Sequence, residues 1–388
     1  MTTTVVEWLV FVLVAGPSLV WLLTLLVIPI HSLRIPRLSE QAIPAGELPS
    51  LGIVIAARNE AHTIEPAIRS VLAQDYPRLE VIAVNDRSDD GTGELLDRLA
   101  VEHAHLSVIH VDRLPAGWLG KNHALQRGLE AATTDYVLFT DADVHFQPGS
   151  LQRALGYMRD QEFDHLSSIP ELVNARASMQ LMMPAFSVFF LMMTRPWHVS
   201  NPDSDSHMGV GAFNLVRREP LLAIGGLEKI RLRPDDDLML GKLVKQHRLR
   251  SGYAASGGDI AVQWYTTAGE TIHGLEKNAF AQFDYSPLKA SVMLVLTLLL
   301  SLGPVVGLAA WPAPTGLVAL GGTLAMLATA AILSWLVKLN PAWGLLFPIG
   351  ATLVVYACLR SMVLALMRGG IIWRDTFYSL ADLRSNRR

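Results

Sequence analysis

Residues 5 to 30 are almost wholly apolar, interrupted by Glu7, Pro17 and Thr24. About 20 such residues span the hydrocarbon core of a bilayer, so this stretch predicts a transmembrane helix. No Lys or Arg precedes it and it exceeds a normal signal-peptide core, which disfavours a cleaved leader. His31, Arg34 and Arg37 follow at once. By the positive-inside rule the N-terminus faces out and the next domain lies in the cytoplasm. Three more apolar runs come after Lys289, at roughly 290–310, 315–336 and 343–366. The first two, joined by Trp311-Pro312-Ala313-Pro314, read as a helical hairpin. The third is interrupted by Pro348, Gly350 and Arg360. If all three cross, the tail with Arg374, Arg384, Arg387 and Arg388 ends outside, against the charge rule. A re-entrant third run and a broken rule both stay open.

Composition agrees with membrane segments at both ends. The 388 residues are 51% hydrophobic and only 17% charged, below the usual quarter, and the deficit is concentrated at the two ends. A net charge of −3 leaves no basic face for nucleic acid. The single cysteine, Cys358, cannot form an intrachain disulfide and excludes C-x-x-C metal chemistry.

Between the ends the pattern changes. Residues 36–50, with Pro36, Pro44 and Pro49, read as a linker. From Leu51 strands alternate with helices: strands at 51–56, 79–84, 106–110 and from 136, helices at 59–74, 89–102 and 121–132. That alternation means βαβ units and a parallel sheet. The uncharged, Met-rich run 179–193 contains Pro184 and is short for a span. It reads as an interfacial helix in preference to a core helix, with a soft surface suited to a lipid. The expected organisation is a membrane helix in 1–35, a linker in 36–50, a cytoplasmic α/β domain in 51–288, a membrane region of two or three helices in 289–370 and a tail in 371–388.

Chemistry gathers at the strand ends. The run Tyr136 to Phe139 reads as a strand buried on both faces and ends in Asp141-Ala142-Asp143. Two acids at i, i+2 in extended chain point the same way. They repel unless a cation sits between them or one is protonated, and Mg²⁺ typically takes one or two carboxylates plus substrate phosphates. Alone, the pair reads equally well as a capped turn. Two other strand ends carry Ala57-Arg58-Asn59-Glu60 and Asp86-Arg87-Ser88-Asp89-Asp90. In parallel sheets such ends converge on one crevice. There Glu60 and Asp86 can accept from a base or ribose, while Asp89 and Asp90 read as turn residues. Lys121 follows Trp118-Leu119-Gly120 at a helix start, a place that favours phosphate. Asp235-Asp236-Asp237 opens another helix and offers a general base. Arg231 and Arg233 flank it and can pair with it. Gly209, Gly211, Gly225 and Gly226 suit close backbone approach to a ligand. Lys277, just before the first C-terminal run, can meet a leaving diphosphate or lipid headgroups.

The ordered set Ala57-Arg58-Asn59-Glu60, Asp86, Asp141-Ala142-Asp143 and Asp236-Asp237 resembles that of family 2 inverting glycosyltransferases over roughly residues 50–285. The likeness is to membrane-bound bacterial members of the hopanoid-associated and ceramide-glucosyltransferase-like kind. The resemblance implies a GT-A fold, a nucleotide-sugar donor (usually a UDP-sugar) and Mg²⁺ or Mn²⁺. It implies donor binding by Ala57, Asn59, Glu60, Asp86, Lys121, Asp141 and Lys277, metal binding by Asp143 with Asp141, and a base at Asp237, with Asp236 the other candidate. The processive members carry Gln-x-x-Arg-Trp; this chain has Gly274-Leu-Glu-Lys-Asn278 and no Trp there, which argues against a polysaccharide synthase. The expected activity is transfer of one sugar to a membrane lipid hydroxyl, in a bacterial-type inner membrane. Transfer to polyprenyl phosphate, or nucleotide-sugar binding without turnover, are the rival readings.

Overall fold

The computed structural model describes residues 2–385 and divides into two compact units. One unit consists of Ile35–Val173 and Arg195–Trp264, with the C-terminal residues from Ala381. The other takes the residues up to Arg34, Asn174–Thr194 and Tyr265–Leu380.

In chain order the elements are α1 (Thr2–Leu33), β1 (Leu51–Ala57), α2 (Ile64–Leu72), β2 (Leu79–Asp86), α3 (Thr92–Glu102), β3 (Leu106–Val111) and α4 (Gly120–Ala131). Then come β4 (Tyr136–Asp141), β5 (Val144–Phe146), α5 (Ser150–Asp160), β6 (His165–Ile169), β7 (Glu171–Leu172) and α6 (Ala177–Thr194). They are followed by β8 (Asn214–Arg217), α7 (Arg218–Ala223), α8 (Asp236–Gln246), β9 (Ser251–Ala255), β10 (Ile260–Val262) and α9 (Ala268–Leu275). The last are α10 (Pro287–Gly307), α11 (Pro314–Leu336), α12 (Phe347–Arg368), β11 (Gly370–Trp373), β12 (Thr376–Ser379) and α13 (Leu380–Ser385).

The α/β unit is built on a seven-stranded sheet of order β3-β2-β1-β4-β8-β6-β9. The register sets Ala56 against Asp141 and Ala57 against Asn85, so the three strand ends finish on one edge. Strands β1, β2 and β4 are apolar runs because both faces of the sheet are covered. Ile53, Ile55, Val81 and Leu138 enter one core, and Val54, Ile82, Val84 and Phe139 the other. Only β8 runs antiparallel to its neighbours.

Three boundaries differ from the expected ones. Residues 36–50 are not a free linker: Leu38 and Leu48 are buried in the core of the α/β unit, and Arg37 bridges to Ala255. Residues 174–194 and 265–288 pack within the helical unit, not with the rest of 51–288. The segment after 370 is not a plain tail, since β11 and β12 pair as a hairpin and α13 follows. Arg387 and Arg388 lie outside the described residues.

In the helical unit, α12 runs unbroken through Gly350 and Arg360. Pro348 falls in its first turn, where a missing N–H costs nothing. Arg360 Nε donates to Glu276 at 2.8 Å, which offsets its charge. Phe347 at the head of α12 packs edge-on against Trp21 of α1 and Phe189 of α6. Among the described residues five helices are long and apolar enough to cross a membrane, those containing α1, α6, α10, α11 and α12. The Met-rich run is thus longer than its uncharged core suggests, and Met179, Met182 and Met183 are buried.

Candidate active site

The expected crevice forms at the carboxyl edge of β1, β2 and β4, and its two sides are made differently. On the β1–β2 side, polar residues satisfy one another. Asn59 stands at φ 56 and its side-chain oxygen accepts from the Asp89 amide at 3.0 Å. The Asn59 amide donates to Ser88 Oγ, the Glu60 amide to Thr92 Oγ1, and the Ala61 amide to Asp90. Asp90 also accepts from the Thr92 amide, as expected of a turn residue. Glu60 accepts from Thr63 Oγ1 at 2.9 Å. Ala57 is a core residue.

Asp86 is 3% exposed, and both its oxygens accept from Arg87, Nε at 2.8 Å and Nη2 at 3.0 Å. It is therefore not the open acceptor the sequence suggests. Arg87, at φ 57, was not singled out from sequence. Its position beside a buried strand-end acid was the available signal. The neighbouring Asn85 is bonded to His110, which in turn reaches Asp97 at 2.9 Å, so this histidine braces the loop.

The other side is crowded with charge. The chain leaves the strand at Asp141, and Asp143 sits in the turn before β5. The two acids are thus not neighbours on one extended face. Both are half-buried. Burial, then the charges of Asp141 and Glu60, push the Asp143 carboxyl up to about 7. Such a group is stabilised by a hard cation. Among the described residues no set of three or more His, Cys, Asp or Glu side chains is arranged to hold a metal. Two carboxylates with phosphate and water completing the shell fit that donor set.

Lys121, at the start of α4, is the hub. Its Nζ lies 2.7 Å from Asp141 Oδ1 and 3.4 Å from Asp236 Oδ2. Burial alone would lower its pKa, but Asp141, Asp236 and Asp237 outweigh it and raise it. Its charge is therefore engaged by acids rather than held out for a phosphate. Asn122 ties α4 to the acidic segment, donating to the carbonyls of Ile230 and Arg233. Asp235, first of the acidic trio, forms a buried two-bond pair with Arg233, as the sequence allowed. Arg231 instead lies 3.9 Å from Glu228.

Asp236 is buried, whereas Asp237 is half-buried. Asp237 Oδ2 accepts from the Gly211 amide at 2.9 Å, and Oδ1 from the Leu238 amide at 2.8 Å. Burial raises its pKa, with Lys121 pulling against it. The glycines ahead of β8 allow close approach to the protein itself rather than to a ligand. A Cβ on Gly209 would collide with the Asp237 carbonyl, and one on Gly211 would stand 2.6 Å from Asp141 Oδ2. Likewise the Gly225–Gly226 turn docks on α4, the Leu227 amide donating to Gln126 at 2.9 Å. A pocket here is lined by Lys121, Thr140, Gly211, Asn214, Asp236 and Asp237, among others. Lys277 belongs to the helical unit, where its Nζ stands 4.2 Å from the ring centre of Trp373.

Residues 52–225 match the family model described as Glycosyl transferase family 2. Over 183 residues the chain is 31% identical to a 4,4'-diaponeurosporenoate glycosyltransferase of Staphylococcus aureus, covering 46% of each protein. Over 102 residues it is 35% identical to a poly-beta-1,6-N-acetyl-D-glucosamine synthase of the same species, covering 26% of this chain and 23% of that one. The chain thus spans less than half the length of the curated relatives it matches. A solved mannosyltransferase from Pyrobaculum calidifontis, in complex with GDP-Man and Mn²⁺, aligns with TM-score 0.54 at 19% identity, over 90% of this chain and 98% of that one. Residues 52–225 are therefore similar to a family 2 glycosyltransferase domain, and the sheet with flanking helices is of the GT-A kind.

Proposed function

We propose that this protein is a membrane-bound glycosyltransferase that moves one sugar from a nucleotide sugar, most simply a UDP-sugar, to a lipid hydroxyl with inversion. The observation that carries the reading is the meeting of Asp141 with Asp236 across Lys121 at the carboxyl edge of a parallel sheet. Ligands of such sheets bind outside that edge. The acids of the D-x-D end face the donor and those of the helix start face the acceptor. The relatives named above act on different acceptors by their names, so the lipid acceptor rests on the five apolar helices.

Asp237 is the general base in this scheme. It is the more accessible of the two helix-start acids, and the Gly211 amide fixes its carboxylate. The raised pKa brings it nearer the working pH, where a base is most effective. The acceptor oxygen attacks the anomeric carbon as its proton passes to Asp237, the bond to the nucleotide diphosphate breaks on the opposite face, and one displacement inverts the centre. Asp236, paired with Lys121, orients the helix start. Asp143, with Asp141, would hold Mg²⁺ or Mn²⁺, which when bound offsets charge on the departing diphosphate. Glu60 and Asp86 lie on the nucleotide side; Asp86 engages a nucleotide once Arg87 releases it. Ala57 and Asn59 belong to the same donor side in this scheme. Lys277 would meet lipid headgroups from within the helical unit. We place the α/β unit in the cytoplasm of a bacterial-type cell, from the cations after α1.

Incubating the membrane-embedded protein with a panel of labelled nucleotide sugars and total membrane lipid tests the reading. Mass analysis should show one lipid gaining a single sugar, and release of nucleotide without any glycosylated lipid would refute it.

A further inference from the structure

The β11–β12 hairpin begins directly where a membrane-length helix ends. α12 stops at Arg368, Gly369 turns the chain at φ 69, and β11 starts at Gly370. A two-residue loop, Arg374 and Asp375, closes the hairpin, both at positive φ (48 and 64). That is the backbone geometry of a tight hairpin turn. The register opposes Ile371 to Tyr378 and Ile372 to Phe377. Because side chains alternate, these are the two faces of the ribbon. Ile371 and Tyr378 are buried, while Ile372 and Phe377 are 53% and 54% exposed. The outer face is thus a cross-strand pair of large apolar side chains that the described residues leave about half exposed.

We propose that this face is a membrane foot. Ile372 and Phe377 insert at the headgroup–acyl boundary of the bilayer that the apolar helices cross, and so fix the depth of the α12 end. The proposal rests on the membrane reading of those helices, and three observations select a bilayer as the occupant. The first is continuity. Ile372 lies four residues past Arg368, so chain length keeps it within about 14 Å of the helix end. The last turns of α12 also remain apolar and exposed, at Val363, Leu366 and Met367. The second is composition. Arg368 precedes the pair in sequence and Arg374 lies between its two members, and Lys277 lies over the Trp373 ring at 4.2 Å. Indole rings and cations beside apolar anchors are typical of membrane–water boundaries. The third is size. A stable protein interface needs roughly 800 Å² from each partner, far beyond two side chains, whereas a lipid surface sets no such minimum.

The only native cysteine allows a direct test. In a Cys358→Ala background, single cysteines replace Ile372, Phe377, Leu296 on α10 or Val101 on α3, and each carries a nitroxide. The full chain is reconstituted in vesicles of phosphatidylethanolamine and phosphatidylglycerol. Accessibility to oxygen and to a water-soluble nickel chelate is then compared. Labels at 372 and 377 should favour oxygen several-fold more than the label at 101, and approach the label at 296. If 372 and 377 match 101 while 296 reads as lipid, the foot is disproved and the membrane reading stands. Should 296 also read as water, the membrane reading itself fails. A dry hairpin with spin–spin broadening that grows with protein density would assign the face to a second copy and overturn the proposal. If a cysteine disturbs the hairpin, the native chain can be photolabelled with a carbene-generating phospholipid. Modification of the 370–379 peptide is expected, and its absence under labelling of α10 counts against the foot.

Discussion

The two sides of the sheet edge solve the same local problem, polar groups at strand ends, in opposite ways. Around β1 and β2, Asn59, Ser88, Asp90 and Thr92 consume each other's hydrogen-bonding capacity. Around β4 and α8, Asp141, Asp236 and Asp237 share one cation, Lys121. Gly209 and Gly211, having no side chains, leave room for the Asp237 carbonyl and the Asp141 carboxylate. A self-satisfied loop is a scaffold. A cluster with surplus negative charge is held in tension by its surroundings and answers to protons, cations and substrate.

The contrast can be broken most severely at the base. Asp237→Asn should lower turnover by about 10²–10⁴-fold, the usual worth of a general base, with nucleotide binding retained in a calorimetric titration. Asp236→Asn should lose much less. Equal losses would merge the two acids into one role. Next comes the hub. Lys121→Met leaves three carboxylates facing one another and should cost about 2 kcal/mol in a denaturant titration, less than for a fully buried pair because water screens the half-exposed Asp141. A cost no larger than that of a surface substitution would mean that water already screens the cluster.

A smaller effect concerns pH. The Asp143 carboxyl is raised to about 7 in the folded chain from its ordinary 3.8. A raised acid stabilises the fold most fully below the lower value, and that contribution is lost as pH rises through the upper one. A cation must displace the proton. Mn²⁺ should therefore raise the thermal midpoint more at about pH 8 than at about pH 6 and release protons near neutrality. A response independent of pH would remove Asp143 from the metal site. The least effect is expected on the scaffold side. Asp90→Ala should cost about 1 kcal/mol and leave the pH profile of transfer unchanged; an altered profile would show that the two sides are coupled.

Much of this edge was legible in the sequence because it rests on local signals. The alternation of β-rich and helical segments gave β1 to β4 nearly to the residue, and Asp141-Ala142-Asp143 and Asp236-Asp237 marked the two acidic ends that meet at Lys121. What stayed hidden depends on distance along the chain. Lys121 reads locally as a phosphate ligand, and only folding brings Asp236, over a hundred residues later, to its ammonium group. Gly209 looks like a ligand-facing turn until the Asp237 carbonyl is seen against it. The β11–β12 hairpin was missed for a different reason. Its turn is Arg374-Asp375, without the glycine or asparagine that usually announces positive φ.

The reversed strand has a consequence for descent. Because β8 runs against β4 and β6, the chain entering it at Asn214 comes in from the reactive edge. The excursion that precedes it, from residue 174 to the glycines at 209 and 211, contains α6 and begins after β1 to β4 are complete. Those strands can be inherited intact while the excursion is lengthened, shortened or exchanged. In a lineage of such proteins, the segment ahead of β8 is one place in the topology where splicing leaves β1 to β4 untouched.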